Sequence, residues 1–239
     1  MINESVFEII KEKFMKTILL TIIATLIFGL STFGQTNKCV SGNCVNGKGK
    51  YIFANGDIYE GDFVNSKMSG QGTYTYKNGD IYIGQWKNGS YHGKGELNVD
   101  FDSFEGDFVN GKLEGQGTES GIFGQVYDGQ WKNGKYHGKG KLELSLFDNN
   151  DVYEGNFVDG KKEGQGKMTY EDGGYYIGEW KNDKRNGYGK EYVKATNITQ
   201  VGTWKDGVYV GTANPKPATP ISTNSNAAVS NAAEIGRAS

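Results

Sequence analysis

The sequence predicts an all-β fold, an elongated single-layer antiparallel meander built from about seven β-hairpin repeats. Three observations predict it. Near-identical segments recur along the chain, each carries a two-residue turn signal at its centre, and 37 glycines accompany 15 tyrosines, 12 phenylalanines and 4 tryptophans against only 3 prolines. Collagen would need glycine at every third position with abundant proline, and a disordered glycine-rich linker would not carry so many rings. Leu, Ile, Val and Phe are sparse beyond the first 34 residues. Rings must therefore do the packing that aliphatic side chains do elsewhere.

Taken in order, residues 1–34 read as a secretory signal. The uncharged run at 17–30 follows Lys11, Lys13 and Lys16, and cleavage after Gly34 would leave Gln35 as the mature N-terminus, with Met15 as an alternative start. A retained membrane anchor is the competing reading, opposed by the shortness of the run. Residues 35–50 form a cap. It holds both cysteines, Cys39 and Cys44, which an exported chain would join in one local disulfide, and a half repeat at Asn46–Gly49. Residues 213–239 hold every proline and no ring, the composition of a disordered tail.

The array between them, residues 51–212, has copies beginning at Tyr59, Tyr82, Phe104, Tyr127, Tyr153 and Tyr176, and a degenerate one through Gly202, Trp204 and Gly207. Their first glycines fall at 61, 84, 106, 129, 155, 178 and 202, a period of 22 to 26 residues. Phe-Val copies alternate with Trp-Lys copies, so a doublet lies over the single repeat. In the first copy Asn65-Ser66 takes the turn position that is Asn-Gly or Asp-Gly in most others. Pairing about it sets Phe63 opposite Met68, Gly61 opposite Gly70 and Tyr59 opposite Gly72, giving a face of rings and glycines and a polar face with Glu60, Asp62, Ser69 and Gln71. The second copy repeats this, with Tyr82 over Gly95 and Gly84 beside Gly93. Three-residue loops such as Lys77-Asn78-Gly79 then pair Tyr74 with Tyr82 and Gly72 with Gly84. The links near Asp100, Phe147 and Ala195 differ in length. About 14 strands at ~4.8 Å spacing would span on the order of 70 Å.

This pattern resembles the MORN (membrane occupation and recognition nexus) repeat family over about residues 44–211, as an exported, bacterial-type member. The Tyr/Phe-x-Gly, Phe/Trp and Gly-x-Gly positions match, while Ser66 and Asp183 depart from the usual turn glycine. The resemblance implies a single-layer β-meander serving as an interaction or assembly platform, with membrane or phospholipid association proposed for several members. It also raises phosphatidylinositol phosphate kinase activity, because such arrays occur fused to that domain. The residues reject this: there is no phosphate-binding glycine motif, and Asp62-Phe63-Val64 lacks the glycine of a metal-binding D-F-G.

No other chemistry is indicated, and the sequence predicts neither an enzyme, nor a cofactor, nor a metal site. His92 and His137 would lie four strands apart, too far to share a metal. Asp148 to Asp151 lack EF-hand spacing. A formal charge of −2 argues against nucleic acid. The candidate binding face is the row of rings at Tyr59, Phe63, Tyr82, Trp86, Phe104, Phe108, Tyr127, Trp131, Tyr153, Phe157, Tyr176, Trp180 and Trp204, with burial as packing the competing reading at each. The expected role is a noncatalytic extracytoplasmic scaffold for a protein partner. A phospholipid headgroup or a cell-wall glycan is the alternative ligand, and terminal strands offer end-to-end self-association.

Overall fold

The computed structural model describes residues 36–146 and 149–212. The predicted signal segment, the tail and the link at Phe147 lie outside them. The described chain forms one 16-stranded antiparallel sheet in which every strand pairs with its sequence neighbours. In order these are β1 (Lys38–Gly42), β2 (Gly47–Ile52), β3 (Ile58–Val64), β4 (Lys67–Thr75), β5 (Ile81–Lys87), β6 (Ser90–Val99), β7 (Asp102–Val109) and β8 (Lys112–Ser120). There follow β9 (Val126–Lys132), β10 (Lys135–Leu146), β11 (Asn149–Val158), β12 (Lys161–Thr169), β13 (Tyr175–Lys181), β14 (Lys184–Val193), β15 (Ile198–Lys205) and β16 (Val208–Gly211). Two strands exceed the sequence expectation: β1, joined to the chain after it by the Cys39–Cys44 disulfide, and the short closing β16.

The turns follow from residue chemistry. Both central residues of a two-residue hairpin turn need positive φ, which Asn and Gly adopt readily. Asn88-Gly89 and Asn133-Gly134 do so, and Asn65-Ser66 and Asn182-Asp183 form the same left-handed pair without glycine. Between hairpins the three-residue loops close as expected. Phe53 donates its N–H to the Asp57 carbonyl, Tyr76 to Asp80 and Tyr170 to Gly174. Tyr74 pairs with Tyr82, and Gly72 with Gly84.

The register inside each hairpin differs from the sequence expectation. Gly61 faces Gly72, not Gly70, Tyr59 faces Tyr74, not Gly72, and Gly84 faces Gly95, not Gly93. The cause is a bulge in the second strand. Gly70 takes φ 62°, Gly93 62°, Gly138 60° and Gly187 67°, a left-handed conformation that opens the ladder. A polar side chain on the first strand caps the opening. Asp62 accepts the Gln71 N–H at 3.0 Å, Gln85 that of Lys94 at 3.2 Å, Gln130 that of Lys139 at 3.0 Å and Glu179 that of Tyr188 at 3.1 Å.

This bulge is what the repeated tyrosine fills. The Tyr59 hydroxyl donates to the Asp62 carbonyl at 3.0 Å, Tyr82 to Gln85 at 3.0 Å, Tyr127 to Gln130 at 2.8 Å, Tyr153 to Asn156 at 3.1 Å and Tyr176 to Glu179 at 3.0 Å. A buried hydroxyl thus meets a carbonyl freed by the broken ladder, and neither is left unpaired. The shifted register also aligns one glycine per strand from Gly49 on β2 through Gly202 on β15. The tyrosine rings lie across this line.

Neighbouring hairpins are locked by rings reaching forward and indoles reaching back. Tyr59 meets Trp86 edge-on at 5.1 Å, Tyr82 meets Phe108 at 5.3 Å, and Tyr127 meets Phe157 at 5.3 Å. Three indoles each donate to a glycine carbonyl of the preceding Phe copy, Trp86 to Gly72 at 3.1 Å, Trp131 to Gly117 at 2.9 Å and Trp180 to Gly166 at 3.1 Å, whereas Trp204, which follows a Trp copy, has a buried Nε1 with no such partner. That asymmetry is the physical content of the doublet.

Candidate functional site

The rings expected to form a binding face are the core. Tyr59, Tyr82, Tyr127, Tyr153 and Tyr176 have no exposed surface, and Phe63, Trp86, Phe108, Trp131, Phe157, Trp180 and Trp204 are buried with them. Because rings pack on the glycine line, a partner meets what lies around them. Phe104 is the exception, half-buried and 6.3 Å from the Trp131 ring. It has no hydroxyl to place in a bulge, and Leu113 approaches Gly106 instead.

Burial leaves a titration signature on this core. Desolvation pushes the Tyr82 and Tyr127 phenols up to about 12, and those of Tyr59, Tyr153 and Tyr176 upward as well. An unfolded tyrosine releases its proton near pH 10, so these groups contribute stability that is intact below about pH 10 and is lost as pH rises towards the folded values. Alkaline titration is expected to show tyrosinate absorbance rising together with loss of the β-sheet circular dichroism signal. Titration of all fifteen tyrosines near pH 10 with the sheet intact would contradict the burial.

The histidines hold no joint site. His92 lies on β6 and His137 on β10, each half-buried with an enclosed Nδ1 that lacks a hydrogen-bond partner. Among the described residues no group of three or more His, Cys, Asp or Glu side chains is placed to hold a metal ion.

What the molecule offers is its polar face and its two long edges. On the polar face the residues flanking the glycine line form cross-strand ladders. Lys48 pairs with Asp62 at 3.3 Å, Lys50 with Glu60 at 3.2 Å and Lys94 with Asp107 at 2.9 Å. Exposed pairs of this kind add little stability and set surface charge. Between the ladders runs a trough. One stretch of 470 Å³ extends from Ser41 to Ile83, and a second of 520 Å³ from Gln71 to Asp128, sharing Gln71 and Ile83. Exposed Ile83 and Ile177 interrupt the polar surface.

The edges are opposite in charge. At the edge formed by two-residue turns, exposed lysines flank every hairpin: Lys67, Lys87, Lys112, Lys132 and Lys135, then Lys161, Lys181, Lys184 and Lys205. The turns are tied to one another through backbone. Gly89 donates to the Met68 carbonyl, Gly111 to Tyr91 and Gly134 to Leu113. Carboxylates assist there, Glu114 accepting the Asn133 N–H at 2.8 Å and Glu163 that of Asn182 at 3.0 Å, and at the opposite edge, formed by the longer loops, they tie one loop to the next. Asp57 accepts the Lys77 N–H at 2.9 Å, Asp80 that of Asp100 at 2.9 Å, Asp102 that of Ile122 at 3.1 Å and Asp151 that of Glu171 at 3.1 Å. Burial would raise the Asp57 carboxyl, but donors from Tyr74, Lys77 and Asn55 hold it below its ordinary value. Sequence reasoning missed this segregation because the net charge sums the two edges. The turn-flanking lysines were the available signal.

The profile of the MORN repeat matches residues 46–58, 59–81, 82–97, 104–121, 127–145, 153–175 and 176–192, more than half of the 239-residue chain. No curated protein matches the sequence. Among solved structures, the TCP domain of SAS-4 (dCPAP) from Drosophila melanogaster, in complex with a proline-rich motif of Ana2 (dSTIL), is similar at 15% identity and TM-score 0.42 over 73% of this chain and 94% of that one. A virginiamycin B lyase from Staphylococcus aureus is similar at 6% identity and TM-score 0.20, over 71% and 88% respectively. Neither likeness bears on function. Seven matched copies, six of them laid out as hairpins and all continuous in one sheet, establish that the chain belongs to the MORN-repeat family.

Proposed function

We propose that this protein is an extracytoplasmic, noncatalytic MORN-repeat scaffold that holds or assembles protein partners. The observation that carries the reading is the internal use of the rings: with the aromatic face consumed by packing, the accessible surface is a long trough of mixed polar and aliphatic character. Such a trough suits an extended protein segment better than a sugar, which would need free rings to stack on. Export is supported by the apolar run at 17–30 and by the Cys39–Cys44 disulfide, a bond that persists in oxidising compartments. If that run is retained rather than cleaved, the scaffold is membrane-anchored. End-to-end joining through β1 and β16, whose outer backbone groups have no strand partner among the described residues, belongs to the same reading.

Affinity capture with the full chain from an envelope extract tests this, run in parallel with Ile83→Asp/Ile177→Asp and with liposome and cell-wall sedimentation. A protein retained by the parent chain and lost from the double variant, with the β-sheet spectrum unchanged, is the expected result. Sedimentation with anionic liposomes or cell-wall material, with no protein dependent on those isoleucines, would overturn it in favour of lipid or glycan.

A further inference from the structure

The formal charge of −2 conceals a ribbon with one basic and one acidic long edge. The two edges share a period. Each advances by one hairpin, two strands or about 10 Å, and both belong to the same twisted sheet and so follow the same twist. From this geometry we propose that copies of the chain associate side by side, the turn edge of one along the loop edge of the next.

The turn-edge lysines are free for this role. Lys112, Lys132 and Lys135 are exposed and make no ion pair among the described residues, whereas the ion-paired lysines lie on the polar face. The loop-edge carboxylates bind backbone N–H groups of the following loop, and those caps leave Asp100, Glu171 and Asp172 exposed. Edge backbone is already tied within the chain on both sides, so side chains must make the contact. Counter-charges are Lys77 and Lys194 on the loop edge, and on the turn edge Asp159, Glu163, Asp183 and Asp206 beyond β10, with Glu114 alone among Lys87, Lys112, Lys132 and Lys135. The middle hairpins, from β5 to β10, therefore carry the strongest complementarity.

A second copy fits these edges better than an anionic polymer. Exposed Val64, Val109 and Val158 recur on the turn edge at every second hairpin, and exposed Phe101 and Ile122 lie on the loop edge. A polyanion has no use for regularly spaced valines, while a protein edge with matching period and apolar side chains covers them. Each charge pair is weak alone, and repetition along the ribbon makes the sum effective. The contact is heterologous and does not close on itself, so it builds open lateral arrays. It differs from end-to-end strand pairing, and it stands whether or not the trough binds another protein.

Sedimentation velocity of the full chain tests the proposal. At low salt the parent chain should grow with concentration, and molar salt, where the Debye length falls to about 3 Å, should return it to monomer. Lys112→Glu/Lys132→Glu/Lys135→Glu reverses the charge of the turn edge along its middle hairpins. Asp80→Asn/Asp100→Asn/Glu171→Gln neutralises the acidic edge while keeping an oxygen at each backbone cap. Each variant alone should associate about tenfold or more weakly than the parent. An equimolar mixture of the two should form a dimer that grows no further, because each supplies the edge the other lacks. A parent chain monomeric at low salt would overturn the proposal, as would association unaffected by salt and by both variants, the behaviour of strand pairing at β16. Retention of the parent on a polyanionic matrix without self-association would assign the lysines to a polyanion and overturn it equally.

Discussion

Gly72→Ala is expected to lower the stability of the array by about 3 kcal/mol or more, read as a large fall in Tm by circular dichroism. A Cβ at this position would lie 2.5 Å from Cε2 and from Cζ of Tyr59, inside a ring with no exposed surface. The ring cannot yield without drawing its hydroxyl off the Asp62 carbonyl. Gly166 stands in the same relation to Tyr153, whose Cζ would be 2.5 Å away, and Gly166→Ala should cost a similar amount. Gly79→Ala is the control. It sits in a loop at φ 101° with nothing within 4 Å of the added carbon, so its cost of about 1 kcal/mol would be backbone strain alone. Equal effects at Gly72 and Gly79 would show that these glycines serve backbone conformation, and would contradict ring packing. Since hairpins couple chiefly to their neighbours, a break at β4 should also broaden the transition as the two sides lose cooperativity.

That contrast marks where the sequence was legible. The period, the turn residues and the three-residue loops fix strand order and the pairing of Gly72 with Gly84, because each is local chemistry with one good solution. The register inside the hairpin is not local in that way. Without a bulge, Gly61 falls opposite Gly70. What moves it to Gly72 is the left-handed φ at Gly70 together with two side chains, the buried Tyr59 hydroxyl and the half-exposed Asp62 carboxylate, whose backbone partners are freed only once the ladder opens. The bulge was written in the repeated Gly-x-Gly and in a polar residue one place after the first glycine, but its meaning needs three strands' worth of contacts. Phe104 shows the same logic from the other side: it matches the pattern by hydrophobicity and fails it by lacking one oxygen. The accessible surface was harder still to read. Alternation predicts two faces correctly, yet which face meets a partner depends on whether rings find glycines to lie on, and they do at nearly every rung.

Trp131→Ala separates a packing ring from a binding ring. If Trp131 offered its face to a ligand, its loss would abolish binding and leave folding intact. The structure demands the reverse. The indole is 5% exposed, its Nε1 donates to the Gly117 carbonyl at 2.9 Å, and it meets Tyr127 at 5.3 Å and Tyr136 at 4.9 Å. Truncation empties the seam between the β7–β8 hairpin and the β9–β10 hairpin, strands an acceptor there, and is expected to cost about 4 kcal/mol. Urea melts should show a lower midpoint, with a second, less stable phase as the two halves unfold separately. Trp131→Phe, which refills most of the volume without the indole donor, should recover more than half of the loss. A Trp131→Ala chain with unchanged stability would mean that the seam is held by backbone pairing alone, and the account of alternating Phe and Trp copies as a forward ring and a backward hydrogen bond would fall with it.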